Sequence, residues 1–406
     1  MNGRENRRVL NGRCRALRKR MVRIDISGRA ARVMHVLEAC LGGTRRYLEN
    51  IAACAQDLGT VNALVYSPVR ADAQFWDFLE AIIRLGWDVF EVPMVRPIRP
   101  AVDAGCVWKL RSAIQRFRPD ILHCHSSKAG ALGRIAAFMS NPRPLVLYSP
   151  HSIAVNLGRR YFLAEKLLAG FTDRFVAVSH SEREELVGLG LAGRDKIDVV
   201  YPILEADHFV PLDKQEVRRA LNLPSVPLIV AVGRMALQKD PIAFLRVVRR
   251  VRDLGLDAHA LWVGDGELRK DFDREVEENN LQGVVRVVGW QHDVRPFIAA
   301  ADVVLTCARH ESFGFVVAEA LAMERPVVAT HVTGTVDVMT GPLARYLYRP
   351  GDYDAAANLV LGLLSDIDTA RNIARLGREQ VRSAFSVIEF KRQLAHAYNN
   401  GLLQRG

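Results

Sequence analysis

In the stretch RHESFGFVVAEA, Arg309 to Ala320, two carboxylates stand eight positions apart, Glu311 and Glu319, with an apolar, glycine-containing run between them. Paired carboxylates are the usual tools for cleaving glycosidic bonds. They must sit close, about 5 Å apart for retention of configuration and roughly 6.5–9.5 Å for inversion. Eight helical steps already span about 12 Å. The stretch reads as loop up to about Gly314 and helix beyond it, which only lengthens the separation. The spacing therefore argues against an acid/base pair. It suits a clamp: a helix start with free N–H groups for an anion, and one carboxylate on either side to grip two hydroxyl-bearing parts of one ligand.

Three other stretches place chemistry-bearing residues at strand ends. In AVGRMALQKDP a strand ends at Val232, and Arg234 and Lys239 follow in the loop before a helix. Two cations there suit a diphosphate, arginine as a fork and lysine as a point charge; the plain alternative is two solvated surface charges. In EACLGGTRRY, Gly42 and Gly43 let backbone approach a ligand closely at a helix start, or simply make a tight turn. In YSPHSI, His151 follows a strand, and could equally be an ordinary loop histidine.

Several patterns carry less than they suggest. GLGLAG, Gly188 to Gly193, matches GxGxxG, but it follows a helical segment and precedes a strand, the reverse of a dinucleotide site. The DxD triplets at Asp271, Asp352 and Asp366 lie inside a helix or at helix starts, where aspartate suits caps and the dipole. In HCH, His123 and His125 share one strand face and Cys124 takes the other, so the three do not close easily on one ion. The expectation is Cys124 in the core, the histidines as polar groups near a cleft, and no metal.

The elements that must position these residues read as two series. Strands are predicted at Arg32–Leu37, Val61–Tyr66, Asp120–His125, Leu145–Tyr148, Arg174–Val178 and Asp198–Val200, mostly separated by helix-length patterns such as Arg45–Leu58. A second series has strands at Leu228–Val232, His259–Val263, Val284–Val288, Asp302–Thr306 and Pro326–Ala329, with helices Pro241–Leu254 and Leu268–Asn280 among them. Helices Asp352–Leu364 and Asp368–Ala384 follow, and a last one starts at Ser386. Alternation of this kind predicts parallel sheets with helices on both faces. The divisions expected are an arm at 1–30, α/β domains at 31–203 and 204–385, and a C-terminal helix at 386–406 returning to the first domain.

Composition agrees with a large folded body: 406 residues, 49% hydrophobic and 25% charged. No apolar run reaches 18 residues, so no membrane-spanning helix is predicted. Six scattered cysteines without a CxxC read as reduced thiols of a cytoplasmic protein. The net charge of +11 is uneven. Residues 1–30 hold ten basic side chains against Glu5 and Asp25, a surplus of eight that leaves three for the rest. This arm has no apolar signal-peptide core. It reads either as a disordered tail, or sequence upstream of a start at Met21, or as a polybasic segment drawn to anionic lipid, each charge being worth about 1 kcal/mol near the surface. No nucleic-acid motif accompanies it.

With these residues in view, the chain from about Arg32 onward resembles the family 4 retaining glycosyltransferases. The resemblance rests on Glu311-SFGFVVA-Glu319, GR…KDP at Gly233–Pro241, VGDGELR at Val263–Arg269, and VGW…AAADVVLTCARHESFG at Val287–Gly314. It implies an α/β GT-B fold: two Rossmann-like domains, acceptor then donor, with parallel sheets facing across a cleft. It implies transfer of a hexose from a UDP- or GDP-linked sugar with retention, and no essential metal. Gly42 and Gly43 then look like the loop at the donor diphosphate, and Arg234 and Lys239 like its cations. Glu311 resembles the carboxylate near the sugar, Phe313–Gly314–Phe315 its N–H cradle, Glu319 the ribose ligand, and His151 the histidine beside the transferred sugar. Two loops depart from the family pattern, Pro202-Ile203-Leu204-Glu205 and Thr333-Gly334-Thr335-Val336-Asp337.

The stretch ILHCHSSKAGALGR, Ile121 to Arg134, resembles the branch that builds bacterial exopolysaccharide and lipopolysaccharide on lipid carriers. It implies a saccharide or polyprenyl-diphosphate-linked acceptor at the inner face of the plasma membrane. The competing readings are a nucleotide-sugar epimerase or hydrolase on the same scaffold, and a non-catalytic sugar-nucleotide-binding partner.

Overall fold

The computed structural model describes residues 24–26, 28–152 and 158–403; the basic segment before Ile24, which carries the membrane expectation, lies outside them. Two compact units are present. The first takes residues up to Val178, Arg183–Ile203 and the stretch from Val387; the second takes Ser179–Glu182 and Leu204–Ser386.

The first unit is built on strands β1 (Arg32–Leu37), β2 (Val61–Tyr66), β3 (Asp88–Glu91), β4 (Ile121–His125), β5 (Leu145–Ser149), β6 (Arg174–Ala177) and β7 (Ile197–Val199). They pair in the order β3-β2-β1-β4-β5-β6-β7, every pair parallel. The second unit has β8 (Leu228–Val232), β9 (His259–Val263), β10 (Val285–Gly289), β11 (Val303–Thr306), β12 (Val327–Thr330) and β13 (Leu347–Tyr348), again all parallel, in the order β10-β9-β8-β11-β12-β13. In both sheets the order reverses beside the first strand, between β1 and β4 and between β8 and β11. Loops leaving the carboxyl ends diverge there, which opens a crevice for ligands. Central strands such as β4 and β5 are buried along their whole length, as expected where helices cover both faces. Of the strands in these two sheets, the sequence reading missed β3 and β13, which lie at sheet edges; β3 is half-exposed and β13 has two residues, so neither shows a buried apolar run.

The amino edges of both sheets are closed by the same device. Asp120, just before β4, accepts from the Arg32 amide at 2.8 Å, and Asp302, just before β11, accepts from the Leu228 amide at 2.8 Å. Burial alone would raise the Asp302 carboxyl, but Lys214 at 2.7 Å and Arg218 at 2.6 Å hold it below the usual carboxylate range. The expected strands had begun at these aspartates; each instead caps a neighbouring strand from one residue outside.

The arm boundary also shifts. Ile24 is buried and its amide donates to Leu58 O at 3.0 Å. Arg29, counted among the arm's charges, forms a two-pronged bond to Asp120 at 2.8 and 2.6 Å. Ile24 and Arg29 are therefore tied into the first unit rather than lying in a solvated tail. At the other end, helix Val387–Leu403 packs in the first unit: Lys391 pairs with Asp57 at 2.9 Å, and Gln393 accepts from the Tyr201 amide at 2.9 Å.

The Ile121–Arg134 motif is largely a packing device. Helix Ser127–Phe138 lies so close to its sheet that a Cβ on Gly130 would stand 2.3 Å from the Tyr148 ring, and one on Gly133 would stand 2.4 Å from Cys124 Sγ. Cys124 thus faces this helix, opposite to His123 and His125, as strand alternation requires. Arg134 is fully buried over the Tyr148 ring, and its Nη2 donates to both carboxylate oxygens of Glu165, at 2.6 and 2.9 Å. Removing one member of a buried pair strands the other charge, at a cost of about 3–5 kcal/mol. Glu165→Ala should destabilise the first unit by that amount in urea unfolding, whereas Arg375→Ala, which removes an exposed pair with Glu379, should change it by under about 1 kcal/mol. Equal effects would show that the Arg134–Glu165 pair contributes nothing special.

Candidate active site

In the second unit, the loops leaving β8 and β11 are tied together. Lys239 forms an ion pair with Glu311. Gln238 Nε2 donates to His310 O at 3.1 Å, the Arg309 amide donates to Gln238 O at 2.8 Å, and Arg309 Nε reaches Asp240 at 2.7 Å. Asp240 in turn caps helix Pro241–Asp253, accepting from the Ala243 amide at 3.2 Å. The proline at the first helical position and the aspartate before it start this helix as the sequence suggests. Lys239, Glu311, Gly314 and Thr335 line a hollow floored by Val232 and Trp262.

The turn between the carboxylates is held from below. Gly314 has φ 89° and begins helix Phe315–Ala322. Phe313 is buried against Phe385, ring centroids 4.8 Å apart, and against Phe315 at 5.1 Å. Gly334 has φ 83°, and a Cβ there would lie 2.6 Å from the Phe313 amide nitrogen, so no side chain fits between these two loops. This gives the Thr333–Asp337 loop a steric role that sequence reasoning had not assigned. The β9 loop approaches just as closely, with a Cβ on Gly264 falling 2.1 Å from Gly233 O, and Trp262 Nε1 donates to that same carbonyl at 3.0 Å.

Arg234 and Glu319 are arranged differently from Lys239 and Glu311. Arg234 is exposed and pairs with Glu267 at 2.9 Å, a partner that sequence reading missed. An exposed pair of this kind is worth about 0–1 kcal/mol, so the guanidinium can exchange it for another anion. Glu319 is only 3% exposed and lies within the helix, outside the lining of the hollow. Glu311 and Glu319 therefore occupy distinct settings, as the spacing argument anticipates. The discounted triplets behave as helix residues: Asp352 and Asp366 cap helices at 3.0 and 2.9 Å, and Asp273 binds Arg269 within its own helix.

Gly42, Gly43 and His151 lie in the first unit. Both glycines are exposed in the first turn of helix Gly42–Leu58, which begins three residues earlier than expected; Gly42 has φ 58°, and open space surrounds its Cβ position. Tyr47 on this helix meets His151 edge-on, centroids 4.8 Å apart. His151 itself sits after β5 at φ 56°, and Ser126 after β4 at φ 71°. Positive φ in non-glycine residues is costly and concentrates at functional sites.

Behind His151 lies a histidine cluster that the sequence only partly reveals. His125 Nδ1 lies 3.1 Å from His151 Nε2, and His125 Nε2 lies 3.2 Å from His35 Nδ1. His123 holds Tyr398 OH at 3.0 Å and Ser149 Oγ at 2.9 Å. His35, His123 and His125 have no exposure, so they are core rather than polar groups near a cleft, which corrects the sequence expectation. Parallel register sets His35 directly beside His123, a relation that no spacing along the chain discloses. Ring nitrogens of these three lie within 4.8 Å of one another, close enough to suggest a metal. Both nitrogens of His123 and both of His125 are already hydrogen-bonded, so an ion would have to displace those bonds.

Burial pushes His35 and His151 down to about 3, and His123 and His125 well below the ordinary value of 6.5. The unfolded chain therefore binds more protons below pH 6.5, and the stability these neutral rings carry is complete above that pH and lost as pH falls toward 3. Urea-unfolding free energies should be flat above about pH 6.5 and then drop by about 1.4 kcal/mol per pH unit for each such histidine. A profile level down to about pH 5 would mean that these rings take up protons in the folded state.

Residues 41–208 match the sequence family described as Glycosyltransferase Family 4, and residues 226–366 match Glycosyl transferases group 1. The UDP-Gal:alpha-D-GlcNAc-diphosphoundecaprenol alpha-1,3-galactosyltransferase of Escherichia coli is 24% identical over 326 residues, spanning 77% of this chain and 83% of that one. The capsular polysaccharide biosynthesis glycosyltransferase CapM of Staphylococcus aureus is 26% identical, spanning 77% and 84%. Among solved structures, Anabaena HepE in complex with UDP superposes with a TM-score of 0.76 at 20% identity, covering 91% of this chain and 99% of that one. Both halves of the sequence match one enzyme class, the two parallel-sheet units match its architecture, and the chain belongs to the family 4 retaining glycosyltransferases of the GT-B fold.

Proposed function

We propose that this glycosyltransferase moves a hexose from a UDP-linked sugar to a lipid-diphosphate-linked saccharide in the synthesis of a bacterial surface polysaccharide. The observation that carries the reading is the pairing of Lys239 with Glu311 at the carboxyl edge of the second sheet, with Arg234 on the same β8 loop. The E. coli relative, named for a diphosphoundecaprenol-linked acceptor, supports the acceptor class, the S. aureus relative supports the surface-polysaccharide setting, and the UDP bound by HepE supports the base.

In this reading Arg234 and Lys239 neutralise the donor diphosphate as the bond to the sugar breaks, when its charge grows most. Glu311 stands beside Lys239 and holds a sugar hydroxyl. The Phe313–Gly314–Phe315 backbone is the N–H cradle at the sugar, Gly42–Gly43 are the loop at the diphosphate, and Glu319 is the ribose ligand. His151 lies beside the transferred sugar. Retention follows when the acceptor hydroxyl attacks from the face the diphosphate leaves. The diphosphate can then take the acceptor proton, so no close carboxylate pair and no metal are needed. The basic segment before Ile24 is proposed to hold the protein at an anionic membrane surface; no described helix is long and apolar enough to cross a membrane.

Glu311→Ala and Lys239→Ala should each lower transfer from a UDP-sugar to a polyprenyl-diphosphate-linked saccharide by about 10²–10³-fold. Their thermal unfolding should stay close to wild type. Wild-type turnover by both variants would sink the assignment.

A further inference from the structure

Three helices cover one face of the first sheet. Pro100–Phe117, Ser127–Phe138 and Arg159–Ala169 join β3 to β4, β4 to β5 and β5 to β6. All three connections run the same way along the sheet, and right-handed crossovers then lie on the same side. Leu110 and Phe117, Leu132 and Ala136, and the half-buried Phe162 and Ala169 pack from them into one core. Their outward surface is not the polar one that such helices usually turn to water. Trp108, Phe138, Leu163 and Leu167 are 58–74% exposed, and Met139 is exposed with them. These side chains are neighbours. Arg111 lies over the Trp108 ring at 5.5 Å and donates from Nε to Met139 O at 2.8 Å. Phe138 meets Phe171, just past the third helix, with ring centroids 4.8 Å apart. Leu163 and Leu167 stand four residues apart and share a stripe of that helix.

The charge around them has one sign. Residues 104–164 hold nine lysines and arginines against one carboxylate, Asp120, which already binds Arg29. Lys128, Arg134 and Arg143 are neutralised by Asp103, Glu165 and Asp173. Lys109, Arg111, Arg159, Arg160 and Lys166 have no carboxylate partner among the described residues, and each lies within one helical turn of an exposed apolar side chain. Apolar residues interleaved with lysine and arginine suit the headgroup layer of a membrane, where the apolar groups enter the acyl boundary and the cations meet anionic phosphates. Tryptophan favours that depth. A protein partner would be met by a different surface, since lysine is depleted from the apolar centre of such interfaces. A second copy of this chain, docked about a two-fold axis, would set the same cations against one another.

We propose that the outer face of these three helices docks on an anionic phospholipid bilayer, with Trp108, Phe138, Leu163 and Leu167 entering the headgroup layer. This contact is separate from the attraction proposed for the basic segment before Ile24, and unlike a tail it fixes an orientation. The helices lie along the membrane, and the first sheet lies parallel to it one helix diameter above, about 10 Å. The carboxyl edge of that sheet then opens sideways along the headgroups, within reach of a diphosphate held in the bilayer. That last consequence rests on the proposed lipid-linked acceptor; the docking face itself does not.

Flotation of the full-length chain with vesicles tests the face. It should bind vesicles of phosphatidylglycerol mixed with phosphatidylcholine far better than phosphatidylcholine alone. Leu163→Gln combined with Leu167→Gln should weaken that binding about tenfold, and Arg159→Gln combined with Arg160→Gln roughly 10–30-fold. All four side chains are exposed, so both variants should melt close to wild type. Ile367→Gln, which alters an exposed apolar residue of the second unit, should bind as wild type does. Brominated lipid should quench the tryptophan fluorescence of the bound chain, and Trp108→Phe should remove most of that quenching. Unchanged binding by both double variants, or quenching that survives Trp108→Phe, would place the membrane contact elsewhere, the basic segment included, and overturn the proposal. Equal binding to both kinds of vesicle would overturn it too, as would a dimer in sedimentation that Leu167→Gln dissolves. A chain that docks in this way but transfers no sugar keeps the face and loses the transferase reading; one that transfers sugar but does not float does the reverse.

Discussion

A parallel sheet sends every strand-to-helix loop out at one edge, and that constraint governs both units. Because β1 and β4, and β8 and β11, are parallel neighbours whose continuations diverge, each sheet has one place where loops part. The opposite edges are closed by Asp120, Asp173 and Asp302, which accept from the amides of Arg32, Val146 and Leu228 and also bind nearby arginines. Stability is invested at the amino edge, so the carboxyl edge can tolerate glycines, positive φ and exposed charge.

Close approach at that edge is purchased by missing side chains. Gly264 against the Gly233 carbonyl and Gly334 against the Phe313 amide bring four loops of the second unit into backbone contact, in two pairs. Lys239 and Glu311 then lie within an ion pair although they come from different strands. A cation already beside its carboxylate, on loops tied by Gln238 and Arg309, needs little rearrangement to meet an anion. Arg234 has the opposite character, exposed and weakly held, and suits a group that reaches a ligand after it arrives.

How much the sequence disclosed follows from this geometry. Strands with continuous apolar runs were legible, as were the helix start at Asp240–Pro241, the opposed faces of His123 and Cys124, and the separation of Glu311 from Glu319. The edge strands Asp88–Glu91 and Leu347–Tyr348 were not, since their burial is partial or their length trivial. Nor were contacts fixed by register. His35 stands beside His123 only because β1 and β4 pair as they do, and Glu267 meets Arg234 only because β8 and β9 do. The basic arm was drawn too long because counting charge does not reveal that Arg29 already has Asp120.

The motif from Ile121 to Arg134 shows how packing and function share one stretch of chain. Gly130 and Gly133 are required by the Tyr148 ring and by Cys124 Sγ, Arg134 by Glu165, and Lys128 by Asp103 at 2.6 Å. None of these needs a ligand to explain it. His125 leads out of the motif toward the carboxyl edge, through His151. A resemblance carried by this stretch therefore reports mainly how tightly one helix seats on its sheet. That tight seating has its own consequence for the chemistry. With Cys124 and Tyr148 packed against the helix face, His125 and Ser149 are held on the other, where His125 Nδ1 lies 3.1 Å from His151 Nε2.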